Sequence, residues 1–347
     1  MELDDLIYEE HEEFNQDLDD SENAISVLDI PFRPSEVLFK MQKDTYRIAL
    51  TDFQQRQIEE LKQLAFNVLP DCIAYNYWLS QRGPNANNPI AKFLHLKDSW
   101  EAVIFTLNAL VWGEVRKKGI DLKTAQVHRS GNANMFFNSG TLLSDEPKQI
   151  IENIKAVVNF SNTNNLDLKC GNYFTIELIN ALYELQNNRN QFSHTATPTR
   201  EQAEAELNIV SPLFVIVLKN LRFFEEIILL RFESFTTSCR FQTFKAHSLN
   251  REFDETIDVQ AAQQAYVMTN PGEVIFAKWD DDIFSLSPFM HYLHDTSGHE
   301  TYLSVYKGKR ESKFWYEPVK VRNNICYDPL QARFDAEKVE LQNLIVP

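Results

Sequence analysis

The chain has 347 residues, 44% hydrophobic and 24% charged, with 9 glycines and 13 prolines, enough for a large core and unlike a collagenous or low-complexity sequence. Its four cysteines, Cys72, Cys170, Cys239 and Cys326, form no Cys-x-x-Cys pair, which argues against a zinc site or disulfide framework and for a reduced, cytoplasmic protein. The net charge of −16 is concentrated at one end, because Met1–Pro31 holds twelve acidic residues and no Lys or Arg; the near-neutral remainder leaves a polyanionic substrate open.

Residues 1–35 read as an acidic, disordered tail, since Asp and Glu crowd out the large apolar side chains that would offset ordering entropy. Helical periodicity follows over Thr51–Leu69, ended by Pro70. Asn85, Asn87, Asn88 and Pro89 mark a loop, and the next helix is predicted over Asp98–Arg116, with a capping box from Asp98 to Glu101 and one apolar face of Val103, Leu107, Leu110 and Val111. A polar loop through Gly131 and Gly140 leads to a helix near Glu146–Phe160, striped by Ile150, Ile151, Ile154 and Val157. Leu178, Leu182 and Leu185 stripe a third helix, Phe174–Asn188, and Thr199 opens a fourth that the apolar spacing carries to Phe232. Beyond Phe235 the runs Val274–Ala277, Ile283–Leu286, Tyr302–Tyr306 and Phe314–Tyr316 are short, β-branched or aromatic, as expected of a small antiparallel module.

The expected fold class is therefore mainly α with a C-terminal β-rich module (α+β): a tail at 1–35, a helical domain at 36–235 and the β module at 236–347. The most apolar stretch, Leu213–Leu230, is interrupted by Lys219, Arg222, Glu225 and Glu226, and no secretory signal opens the chain, so no membrane partner is expected.

Familiar phosphate cradles and hydrolase elbows are missing: there is no Gly-x-Gly-x-x-Gly, no Gly-Lys-Ser/Thr loop, no His-Glu-x-x-His and no Gly-x-Ser-x-Gly. What stands out is Arg189-Asn190-Gln191-Phe192-Ser193-His194, a permanent cation and an imidazole five positions apart at the end of the third core helix. If that helix ends near Ser193, both can face one groove and meet one phosphate. An Arg and a His at a helix end can instead simply satisfy the terminal carbonyls and the helix dipole.

This stretch resembles the signature of the HEPN family of helical-bundle proteins, an Arg, a polar residue, three variable residues and a His, carried between the third and fourth helices of a four-helix bundle. The resemblance covers about Ala91 to Phe232, with extra helices before it. It implies a metal-independent endoribonuclease that needs no cofactor, acts on RNA as a homodimer and belongs with toxins or abortive-infection effectors. Because uncontrolled RNA cleavage would harm its host, the acidic tail, the β module or another protein, an inhibitory or activating partner, is expected to control the cleft. Arg189 and His194 would be catalytic, with Asn190 and Ser193 assisting. Other HEPN proteins are non-catalytic adaptors or partners of nucleotidyltransferases, so those readings stay open.

Residue chemistry fits RNA cleavage: the 2′-hydroxyl is an internal nucleophile, His transfers protons near neutral pH, and Arg grips phosphate oxygens as charge accumulates. Lys307, Lys309, Arg310 and Lys313 beside Trp315 form a second candidate, cations next to a ring that can stack on a base, although the neighbouring aromatics equally suit a module core. His291, His294 and His299 around Asp295 suit no single helix or strand face and read as loop decoration rather than a metal site.

Overall fold

The computed structural model describes residues 25–27, 30–32, scattered positions from 40 to 60, 61–129, 134–193, 199–235, 239–245, 253–255, 260–270, 272–294, 301–310, 313–318, 326–327 and 331–346. The chain divides into two compact units, residues 1–65 and 66–347. In the first, β1 (Ile25–Val27) and β2 (Ile30–Phe32) pair antiparallel, Val27 opposite Ile30.

The second unit is mainly α with antiparallel sheets in its C-terminal part. It opens with α1 (Asp71–Arg82) and α2 (Pro89–Lys118), joined through Gly83 and Asn88. Next come the ribbon of β3 (Gln126–Val127) and β4 (Met135–Phe136), the short α3 (Ser139–Leu142), α4 (Pro147–Thr163), α5 (Lys169–Tyr173), α6 (Ile176–Ser193) and α7 (Arg200–Lys219). Helices α2, α4, α6 and α7 pack in a closed ring, α2 against α4, α4 against α6, α6 against α7 and α7 against α2, while α1 lies outside it on α2.

The stripe residues Ile150, Ile151, Ile154 and Val157 of α4, and Leu178, Leu182 and Leu185 of α6, are all buried, as the periodicity predicts. The central helix and the last predicted helix of the bundle differ from that reading. Helix α2 starts nine residues early because Asn88 Oδ1 accepts the N–H groups of Ile90 (3.1 Å) and Ala91 (3.5 Å) with Pro89 at the first helical position; Asn-Pro is a helix start, and Asp98 is an interior residue rather than a cap. Gly119 closes α2 in the left-handed conformation, φ 61°. Every residue from Ser99 to Val115 is buried, so α2 is no amphipathic surface helix but a central rod enclosed on all sides.

The last predicted helix stops at Lys219. After a 3₁₀ turn at Arg222–Glu225 the apolar run becomes β5 (Ile227–Phe235). Ile227 to Leu230 fits either period, but as a strand it gains a ladder on each side, with β6 (Cys239–Thr243) and with a later strand, at the centre of a five-stranded sheet. The remaining elements are β7 (Phe253–Glu255), α8 (Ala261–Met268), β8 (Phe276–Trp279), β9 (Asp282–Ser285), β10 (Met290–His294), β11 (Thr301–Arg310), β12 (Lys313–Pro318), β13 (Cys326–Tyr327) and α9 (Gln331–Ile345). Sheet orders are β7-β6-β5-β8-β9 and β10-β11-β12-β13, all antiparallel.

Leu230, Phe241, Val274, Phe276 and Ile283 fill the first sheet's core together with Val267 of α8. On the second, Phe334 of α9 stacks on Phe314 and packs on Tyr306. The sheets adjoin the bundle at α2. A Cβ on Gly113 would lie 2.8 Å from both Phe284 Cδ2 and the Ser285 carbonyl oxygen, so β9 rests on bare helix backbone. Among the described residues no helix is long and apolar enough to cross a membrane.

Candidate active site

The signature Arg189 stands near the end of α6, which runs on to Ser193, the residue before His194. Two contacts hold this end of α6 to the central helix. Trp100 Nε1 donates to Gln186 Oε1 (3.4 Å, both buried), and one turn later Arg189 Nε lies 3.3 Å from Glu101 Oε1. The Glu101 side chain is 4% exposed and that of Arg189 33%, so a buried carboxylate holds a guanidinium that still reaches solvent. The other carboxylate oxygen, Oε2, is 3.8 Å from Lys97 Nζ, and Lys97 in turn lies 3.4 Å from Asp98. Burial of Glu101 is tolerable because each oxygen faces a cation.

Asn190 and Ser193 occupy the last turn of α6; their side chains and the whole of His194 lie outside the described residues. The structure thus fixes Arg189 and the helix end that precedes His194. It also adds Glu101, which sequence reasoning placed in a capping box. The signal available was an isolated carboxylate among the apolar residues Trp100 and Ala102–Phe105, a setting that calls for a cation from elsewhere in the chain.

The second candidate is arranged differently. Lys307 on β11 points inward, with Nζ 3.9 Å from the centroid of Phe105 on α2 and 3.3 Å from Glu317, and its side chain is 15% exposed. Lys309 pairs with Phe314 and Arg310 with Lys313 in the β11–β12 ladder, while the side chains of these three basic residues lie outside the described set. Trp315 is half-buried between the core residues Phe314 and Tyr316.

His291 and His294 lie on strand β10 rather than in a loop, and His299 and Asp295 fall outside the described residues. His291 is buried: its Nε2 is 2.5 Å from Ser287 Oγ, which also donates to the buried Glu337 carboxylate of α9. Arg333 Nε (3.1 Å) and Arg116 of α2 (3.6 Å) complete the charge around Glu337. Ser, His and Glu do not form a hydrolase relay here. In that relay the imidazole stands between hydroxyl and acid, whereas here the hydroxyl stands between imidazole and acid. The cluster ties α9, α2 and the Ser287 turn together. Among the described residues no group of three His, Cys, Asp or Glu side chains is placed to hold a metal ion. Compared with protein-family models, curated proteins and solved structures, the chain matches none.

Proposed function

We propose that the chain is a HEPN-type endoribonuclease that cleaves RNA without a metal ion, with Arg189 and His194 at its centre. The observation that supports this most is the seat of Arg189. It lies at the junction between the third and fourth members of a closed ring of four helices, steadied from below by a buried carboxylate, with a third of its side chain exposed. An arginine has five N–H donors, so Nε can hold to Glu101 while the terminal amino groups serve a phosphate.

In the proposed reaction the 2′-hydroxyl attacks the adjacent phosphorus and loses its proton as the new P–O bond forms. The bond to the 5′-oxygen breaks, and that oxygen takes up a proton. The products are a 2′,3′-cyclic phosphate and a 5′-hydroxyl. His194 handles a proton in this exchange, and Arg189 stabilises the negative charge on the non-bridging oxygens. Asn190 and Ser193 assist in orienting the phosphate. Two copies of the chain pool their signatures in one cleft, and a toxin or antiviral role places the activity under a protein regulator.

The test is cleavage of a mixed RNA pool in excess chelator by the wild type, His194→Ala and Arg189→Ala, with end-group analysis of the products. The expected result is cyclic-phosphate ends from the wild type and a loss of about 10²–10⁴-fold in the His194 variant. Equal cleavage by all three proteins rejects the site, and no cleavage of any RNA favours the non-catalytic adaptor.

A further inference from the structure

A different part of the bundle carries a second site. Glu152, Lys155 and Asn159 follow one another on α4 at steps of three and four, so they share one face, and with Ala156 they form a wall of a cleft of about 320 Å³. Gln126, His128 and Asn134, from the β3–β4 ribbon and its connection, form the opposite wall.

The cleft is held by buried amides. Gln149 Nε2 donates to the His128 carbonyl oxygen (3.2 Å) and to Asn153 Oδ1 (3.3 Å), and Asn153 Nδ2 donates to the Thr141 carbonyl (2.7 Å). Both amides are buried, so α4 fixes the backbone of the facing wall from beneath. The His128 ring is steadied too: Nδ1 donates to Asn134 Oδ1, an oxygen that can only accept, at 3.3 Å, which leaves Nε2 to a ligand.

What lines the cleft is unspent. A half-buried Lys and a half-buried Glu three residues apart on one helix ordinarily pair. Among the described residues Glu152 and Lys155 make no ion pair or hydrogen bond, nor do the side chains of Gln126 and Asn159. One cation beside one carboxylate disfavours a polyphosphate and suits a singly phosphorylated molecule that also carries hydroxyl or amino donors. Phe136 adds a third requirement. It is 53% exposed and lies directly opposite Gln126 in the β3–β4 ladder, hence on the same side of the ribbon. An uncovered ring beside a polar cleft offers a stacking platform for a flat heterocycle.

We infer that this cleft binds one nucleotide: phosphate on Lys155 and His128, ribose hydroxyls on Glu152 and Asn159, and base on Phe136. The same chemistry is presented by a free nucleoside 5′-monophosphate and by one residue of a single-stranded RNA. The site uses none of the residues proposed for cleavage.

Full-length protein carrying His194→Ala, which removes cleavage from the measurement, is titrated calorimetrically with AMP, with UMP and with mixed-sequence single-stranded RNA 10-mers. Saturable binding by a mononucleotide supports the site with a free ligand, and saturation by the oligomer alone supports it with an RNA residue. Phe136→Ala and Lys155→Met, each checked for native circular dichroism, should each weaken binding about tenfold. Orthophosphate should not compete. Absence of saturable binding by any of the three, affinity unchanged in both variants, or competition by orthophosphate equal to that by AMP overturns the inference and leaves the cleavage reading standing.

Discussion

Helix α2 carries two buried glutamates whose surroundings differ in kind. Glu114, 1% exposed, accepts the backbone N–H groups of Lys169 (2.7 Å) and Cys170 (3.0 Å) at the start of α5, with Lys118 one turn along at 3.5 Å. Glu101 is met instead by two long side chains, Arg189 and Lys97. Backbone amides at a helix start cannot move away without unfolding that helix, whereas a guanidinium can shift its grip toward a ligand. The same residue type on the same rod therefore serves as a fixed joint at one end and as a holder for a movable cation near the other.

The largest effect expected from this contrast is on stability. Glu114→Ala strands one buried and one partly buried amide and a partly buried ammonium, and should cost about 3–5 kcal/mol in urea unfolding. Glu101→Gln keeps the shape, leaves Arg189 a third exposed and leaves Lys97 paired with Asp98, so its stability cost should be only about 1 kcal/mol. Its larger consequence should be a fall in RNA cleavage of about tenfold, short of the loss in Arg189→Ala. If Glu101→Gln destabilises the protein as much as Glu114→Ala, Glu101 is a fixed joint too, and the contrast fails.

The smallest effect concerns Cys170. Burial, reinforced by the neighbouring Glu114 carboxylate, pushes its thiol well above the ordinary range. Such a group favours the native state below the unfolded thiol value of about 8.5, and that contribution is lost as the pH climbs above it, because the unfolded chain then releases the proton first. Stability should decline modestly between pH 8 and 10, and mass spectrometry should find Cys170 and the equally buried Cys72 unalkylated at pH 8 until urea is added. Rapid native labelling of Cys170 would contradict its placement.

How far these features were legible in the sequence depends on their range. The bundle stripes were, because Ile150–Val157 and Leu178–Leu185 bury the faces their spacing marks. The all-round burial of α2 was not, since a single apolar stripe cannot reveal that sheets and α9 cover the other side. Helix α9 itself has Phe334, Leu341 and Ile345 buried at helical intervals, a signal outweighed by the β texture around it. Ile227–Leu230 could be either element until its two partner strands were known. In the candidate active site the Arg189–His194 spacing is local and could be read directly, whereas the Glu101 partnership spans the chain from α2 to α6 and depends on how those helices pack.

The bare backbone at Gly113 has a consequence for anyone dissecting the protein. A fragment ending near residue 235 would keep the ring of helices but strip Phe284 and Ser285 from Gly113, the Ser285 carbonyl and Glu337 from Arg116, and the lysine canopy from Phe105. Its longest helix would then meet water along a surface built for contact with protein. The two halves are better studied by point substitution than by scissors.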